Sequence, residues 1–96
     1  MMEYVLIRSY SSGVHIGELE EYDRLTRHAV LKNTRRIYYW SGAATLSQLA
    51  LEGTKNPESC KFTVEIPKIT IAEVIEMIPV SSLARENIAG VKVWKM

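Results

Sequence analysis

Apolar and polar residues alternate from the start of the chain, with Tyr4, Leu6, Arg8 and Tyr10 on one side and Val5, Ile7 and Ser9 on the other. A period of two predicts a strand over 3–10. Ser11-Ser12-Gly13 then fits a three-residue hairpin loop with glycine at its left-handed position. Pairing Tyr10 with Val14 sets Ser9 opposite His15, Ile7 opposite Gly17 and Val5 opposite Leu19, and these pairs form the expected core face. The other face carries Tyr4, Arg8, Ile16, Glu18 and Glu20, where cross-strand charge pairs are expected. Tyr22-Asp23-Arg24 reads as a turn into a strand near 27–32, and Asn33-Thr34 as a tight reversal into a third β-rich run, Arg35–Trp40.

Beyond the break at Gly42 the period changes. Thr45 predicts a helix N-cap, Gln48 its capping-box partner and Gly53 its stop, with Leu46, Leu49 and Ala50 as the apolar stripe. Asn56-Pro57-Glu58-Ser59 is a turn, and Cys60–Ile66 alternates as a strand ending at Pro67. The run Ile69–Val80 fits either a short helix capped at Thr70 or a buried strand; the strand near 74–80 is the preferred reading. Ser81 or Ser82 caps a helix near 82–89 that stops at Gly90, and Val91–Trp94 reads as a closing strand. Strands outnumber helices and come in hairpins. The expected fold is α+β: a small antiparallel β-sheet of about five or six strands with two short helices, in a single domain over 1–96.

Composition narrows the classes. A chain that is 47% hydrophobic and 24% charged is not disordered. Its net charge of +1 lacks the basic excess of a duplex nucleic-acid binder. Cys60 is the lone cysteine, which excludes a disulfide scaffold. No signal-peptide layout and no membrane-length apolar run are present, so the expected location is the cytoplasm. The small size and the apolar 66–80 segment lead us to expect a homo-oligomer.

Five segments carry a resemblance: Ser12–His15, Arg35–Trp40, Gly42–Ala50, Cys60–Phe62 and Val91–Trp94. Together they resemble a family of short uncharacterised proteins of tailed bacteriophages and prophages, a domain of unknown function. The similarity is most specific from Arg35 to Ala50 and weakest across 18–31. It implies a phage-encoded protein acting in the bacterial host cytoplasm. It brings no known activity and no catalytic residues.

The window 35–48 holds the most chemistry. On a strand, Arg36, Tyr38 and Trp40 share one face, and a guanidinium beside aromatics can stack a base or hold an anion. The turn from Ser41 through Gly42 to Thr45 then leads into a helix start, where free amides favour phosphate. Arg35, Arg36, Tyr38, Trp40, Gly42 and Thr45 are therefore candidate ligand-binding residues, joined by His15 beside its glycine turn. The plainer account is that the aromatics pack, the arginines solubilise and Thr45 merely caps.

Cys60 lies in an apolar strand, as inert cysteines do. His15, His28 and Cys60 lack metal-ligand spacing, so no metal or other cofactor is expected. No paired carboxylates or triad point to an enzyme. Two functions follow. One is a small phage-encoded accessory protein that sequesters a nucleotide or other phosphate-bearing small molecule. The alternative is an inhibitor of a host protein, or an assembly module, without a small-molecule ligand.

Overall fold

A computed structural model describes residues 3–96 of the chain. Six strands form one antiparallel sheet: β1 Tyr4–Ser9, β2 Gly13–Asp23, β3 His28–Tyr39, β4 Lys61–Phe62, β5 Ile66–Ile71 and β6 Val74–Pro79. Two helices, α1 Leu46–Glu52 and α2 Ser82–Ala89, cover one side, which makes the fold α+β. The strands run in the order β4-β3-β2-β1-β6, and β5 also pairs with β3.

That order requires a curled sheet. β5 and β6 are joined by two residues, yet they pair with β3 and β1, which lie on either side of β2. In a flat sheet they would stand about 19 Å apart, whereas such a link reaches only about 11 Å. The sheet therefore closes on itself at Ala72-Glu73, where Glu73 takes a positive φ of 53°. Two cores result. Inside the curl lie Val5, Ile7, Ala29, Leu31, Ile71 and Val74. On the outer face Leu6, Ile16, Ile37 and Phe62 pack beneath the helices with Leu49, Ala84 and Ile88. Each such Leu, Ile or Phe contributes about 1.5–3 kcal/mol by leaving water.

The first hairpin closes one residue pair earlier than the sequence pattern indicates. Ser9 faces Gly13, Ile7 faces His15 and Val5 faces Gly17. The cause lies outside the hairpin: the Tyr10 N–H donates to Glu73 O at 3.0 Å, and Ser9 Oγ donates to Ala72 O at 2.7 Å. Those bonds draw the tip toward the β5–β6 corner. The shift is two residues, so the faces are unchanged. Gly13 holds a φ of 85°.

Asn33-Thr34 is a β-bulge, not a reversal, and the two expected strands are one, β3. Asn33 takes the left-handed conformation at φ 49° as the extra residue opposite the Ile16–Glu18 step. Thr34 Oγ1 donates to Ile16 O at 2.9 Å. Gly17 makes the room, since a Cβ there would stand 2.8 Å from Thr34 Cβ. The preceding turn is held by Asp23, whose Oδ1 accepts from the Leu25 and Thr26 amides.

Further along, the strand expected over 60–66 shrinks to Lys61–Phe62, and Pro67 sits within β5 instead of ending a strand. The closing strand at 91–94 is reduced to one parallel bridge between Val93 and Phe62. The N-caps and the stop at Gly53 stand as read, except that the Gln48 side chain accepts from the Ala44 amide, one residue before the Thr45 amide of a full capping box. Thr45 Oγ1 accepts from Gln48 N, Gly53 closes α1, and Ser81 Oγ accepts from Ala84 N while donating to Leu51 O.

Candidate functional site

The bulge decides where the two adjacent arginines go. Unbroken alternation from the inward-facing Leu31 would send Arg35 inward and Arg36 outward. One extra residue interchanges them. Arg35 pairs with Ile16 and lies against the helices, whereas Arg36 pairs with His15 on the inner face.

Arg36 and His15 line a concavity of about 220 Å³ with Thr34, Thr63, Ile66 and Ile69, and Arg35 and Val64 border it. The Arg36 backbone is held by Thr63, whose Oγ1 accepts from Arg36 N at 2.9 Å while Thr63 N donates to Arg36 O. Its side chain is exposed, and among the described residues no carboxylate lies within 4.0 Å of it. His15 is 1% exposed, with its Nε2 3.0 Å from Ser12 Oγ. Burial, then the positive charge of Arg36, lowers its pKa from 6.5 to about 4. At neutral pH the ring is uncharged, so the concavity holds one free cation, a neutral imidazole, two threonines and an apolar wall. Such a set can hold an anionic group against a hydrophobic body.

Arg35 is committed elsewhere. The residue is 7% exposed, and its guanidinium carbon lies 5.3 Å from the centroid of the Phe62 ring. Nε donates to Thr63 O at 2.9 Å, Nη1 to Ile88 O at 3.3 Å, and Nη2 to Phe62 O and Lys92 O at 3.3 and 3.4 Å. These bonds fix the end of α2 and the tail to β3. Burial lowers its pKa, a trend opposed by Tyr4 and Glu65.

The remaining candidates are dispersed. Tyr38 is 65% exposed and stacks on Trp94, with ring centroids 5.0 Å apart and planes 13° apart. Trp40 turns toward the helices, and its Nε1 donates to Ala43 O. Gly42 holds a φ of 83° with the backbone of Lys55 and Asn56 pressed against it. Thr45 caps α1. Two amides of this turn are engaged within the chain, Ser41 N with Cys60 Sγ and Ala44 N with Gln48 Oε1, and the Gln48 amide in the first turn of α1 meets Thr45 Oγ1. His15 and Arg36 thus come together with Arg35 at the border of their concavity, its guanidinium committed to the scaffold, which Trp40, Gly42 and Thr45 also build.

Sequence reasoning missed Thr63, which its bonds to the Arg36 backbone place there, and Ile66 and Ile69, which reach the concavity because β5 folds back on β3. It also missed Lys61, whose Nζ lies 5.4 Å from the Trp94 ring centroid. Among the described residues no three His, Cys, Asp or Glu side chains group as metal ligands, and no helix is long and apolar enough to cross a membrane.

No curated protein and no solved structure matches the chain. One family model does, over residues 2–88, which leaves the Trp94 tail outside the match. The chain belongs to that family, the domain of unknown function DUF6948.

Proposed function

We propose that this protein is a phage-encoded accessory protein of the bacterial cytoplasm that binds a small phosphate-bearing molecule, its anionic end held by Arg36 beside His15. The phage origin rests on the sequence resemblance alone. The ligand reading rests on one observation: the bulge at Asn33 brings an unneutralised arginine and a buried, uncharged histidine together over a concavity. At about 220 Å³ the space suits the phosphate-bearing end of a nucleotide rather than the whole molecule. A single cation there favours a ligand with one or two negative charges over a triphosphate.

Calorimetric titration with inorganic phosphate and with mono-, di- and cyclic nucleotides tests the reading. At least one should bind, Arg36→Ala should abolish binding, and Trp40→Phe should leave it intact. Binding by none of them removes the proposal. A second reading, a host-protein partner, is favoured by the Tyr38–Trp94 stack, which lies outside the concavity and exposes 65% and 45% of the two residues. Aromatics of this kind anchor protein interfaces. A host protein lost on Trp94→Ala, with no nucleotide bound, would support it. Self-association is also proposed, through apolar residues left exposed on β5 and β6, such as Ile66 and Ile75. Light scattering that returns only the 10.9 kDa chain mass would remove that part.

A further inference from the structure

The outer face of the sheet carries a second concavity, of about 310 Å³, between the start of β1, the Asn33 bulge, the 63–65 loop and α2. Its polar lining is Tyr4, Glu18, Asn33, Arg35, Glu65 and Arg85. Two guanidinium groups and two carboxylates converge there, so the formal charge of the lining is zero. An ion of one sign would meet repulsion from half of these groups. A molecule carrying both signs would not.

Three details point to an occupant. Arg35 has five N–H donors and four bonds, all to neutral carbonyls, which leaves one Nη1 hydrogen without a partner among the described residues. This buried charge also has no carboxylate within 4.0 Å among the described residues, although buried charges are ordinarily paired. Glu65 is exposed and equally without an ion pair among the described residues. The walls are held in place: Arg85 stacks 4.2 Å from the Tyr4 ring centroid, and Asn33 Nδ2 donates to Glu18 Oε1 at 2.6 Å. Arg85 stands 3.9 Å from Glu18 Oε2, a separation loose enough for the guanidinium to serve a second anion. The left-handed Asn33 lines the concavity, and bulges are common beside binding sites.

We propose that this concavity binds a small zwitterion of the α-amino acid class, its carboxylate toward Arg35 and Arg85 and its ammonium toward Glu65 and Glu18, with Tyr4 against its side chain. Arg35 borders both concavities, but Arg36 and His15 line only the other one, so this site does not depend on them.

The test is a panel of free α-amino acids at millimolar concentration, followed by amide NMR titration, with each amino acid's N-acetyl derivative and its decarboxylated amine as controls. At least one free amino acid should give saturable shifts near Tyr4 and Arg85, and neither of its controls should. Glu65→Gln, in an exposed loop where folding is not at risk, and Arg85→Gln should each weaken binding roughly tenfold, the effect of one charge-assisted hydrogen bond. Arg36→Ala should leave it unchanged. Three results overturn the proposal: no saturable binding by any amino acid, equal binding by the N-acetyl acid (a plain anion site), or loss on Arg36→Ala.

Discussion

Arg35 and Arg36 are neighbours in sequence, and substituting them should have opposite consequences. Arg35→Met keeps much of the volume and removes every donor. The 2.9 Å bond from Nε to Thr63 O is the strong one and, being charge-assisted, is worth about 1.5–3 kcal/mol. The other three are 3.3–3.4 Å long. Two of their acceptors keep a partner in the variant, since Phe62 O also accepts from Trp94 N and Ile88 O from Val91 N. Their loss therefore adds little, and relief from burying an unpaired charge offsets part of the total. A net cost of about 2 kcal/mol follows, or a fall of roughly 8–16 °C in melting temperature for a domain of this size. Arg36→Ala removes an exposed side chain and should stay within about 0.5 kcal/mol. Thermal melts followed by circular dichroism measure both. Hydrogen exchange should also show the Trp94 amide losing protection in Arg35→Met alone. A neutral or stabilising Arg35→Met would mean that desolvation of the guanidinium outweighs its bonds. Equal losses from the two variants would refute the assignment of faces.

Gly17→Ala should destabilise by about 1–3 kcal/mol, because its Cβ would stand 2.8 Å from that of Thr34 at the bulge; a neutral variant in a denaturant melt would disprove the close approach. His15 carries a folded pKa below its unfolded one, so its contribution is present above pH 6.5 and is lost as pH falls toward about 4. The loss reaches on the order of 3 kcal/mol at the lower limit. Denaturant melts across that range should show the wild type falling more steeply than His15→Gln, and parallel curves would contradict the burial of a neutral ring.

Features decided within a few residues were legible in the sequence. Thr45, Gln48 and Gly53 bound α1 because each satisfies a backbone group a few positions away, and Ser81 does the same for α2. The alternation in β1 and β2 survives even where the register moves, since a two-residue shift preserves faces. What escaped was decided by partners remote in sequence. Asn33-Thr34 has the composition of a turn, and a turn is what local chemistry favours there. It stays within one strand because Gly17 leaves space for Thr34 and the Ile16 carbonyl accepts its hydroxyl, both on a strand formed earlier in the chain. In the same way β5 was hidden because Pro67 argues against a strand. Proline is tolerated at a sheet edge, and only the curl reveals that β5 occupies one.

The same bulge accounts for the division of the candidate site. On an uninterrupted strand, the residues after position 33 keep the faces that alternation assigns, and a charged pair at 35 and 36 presents one member to each side by parity alone. One added residue leaves that pairing of opposites intact but exchanges its members. The arginine whose side chain alternation would send inward becomes the fastener for α2 and the tail, and the other presents its guanidinium beside His15. Ile37 follows Arg35 outward and becomes part of the helix-side core, where it is 3% exposed. Removing the bulge would therefore do more than shift a loop. It would turn Ile37 away from its core and drive Arg35 toward the Val5–Ile7 interior, two costs of several kcal/mol each. The fold depends on the bulge as much as either concavity does, which is why a single left-handed asparagine can define both.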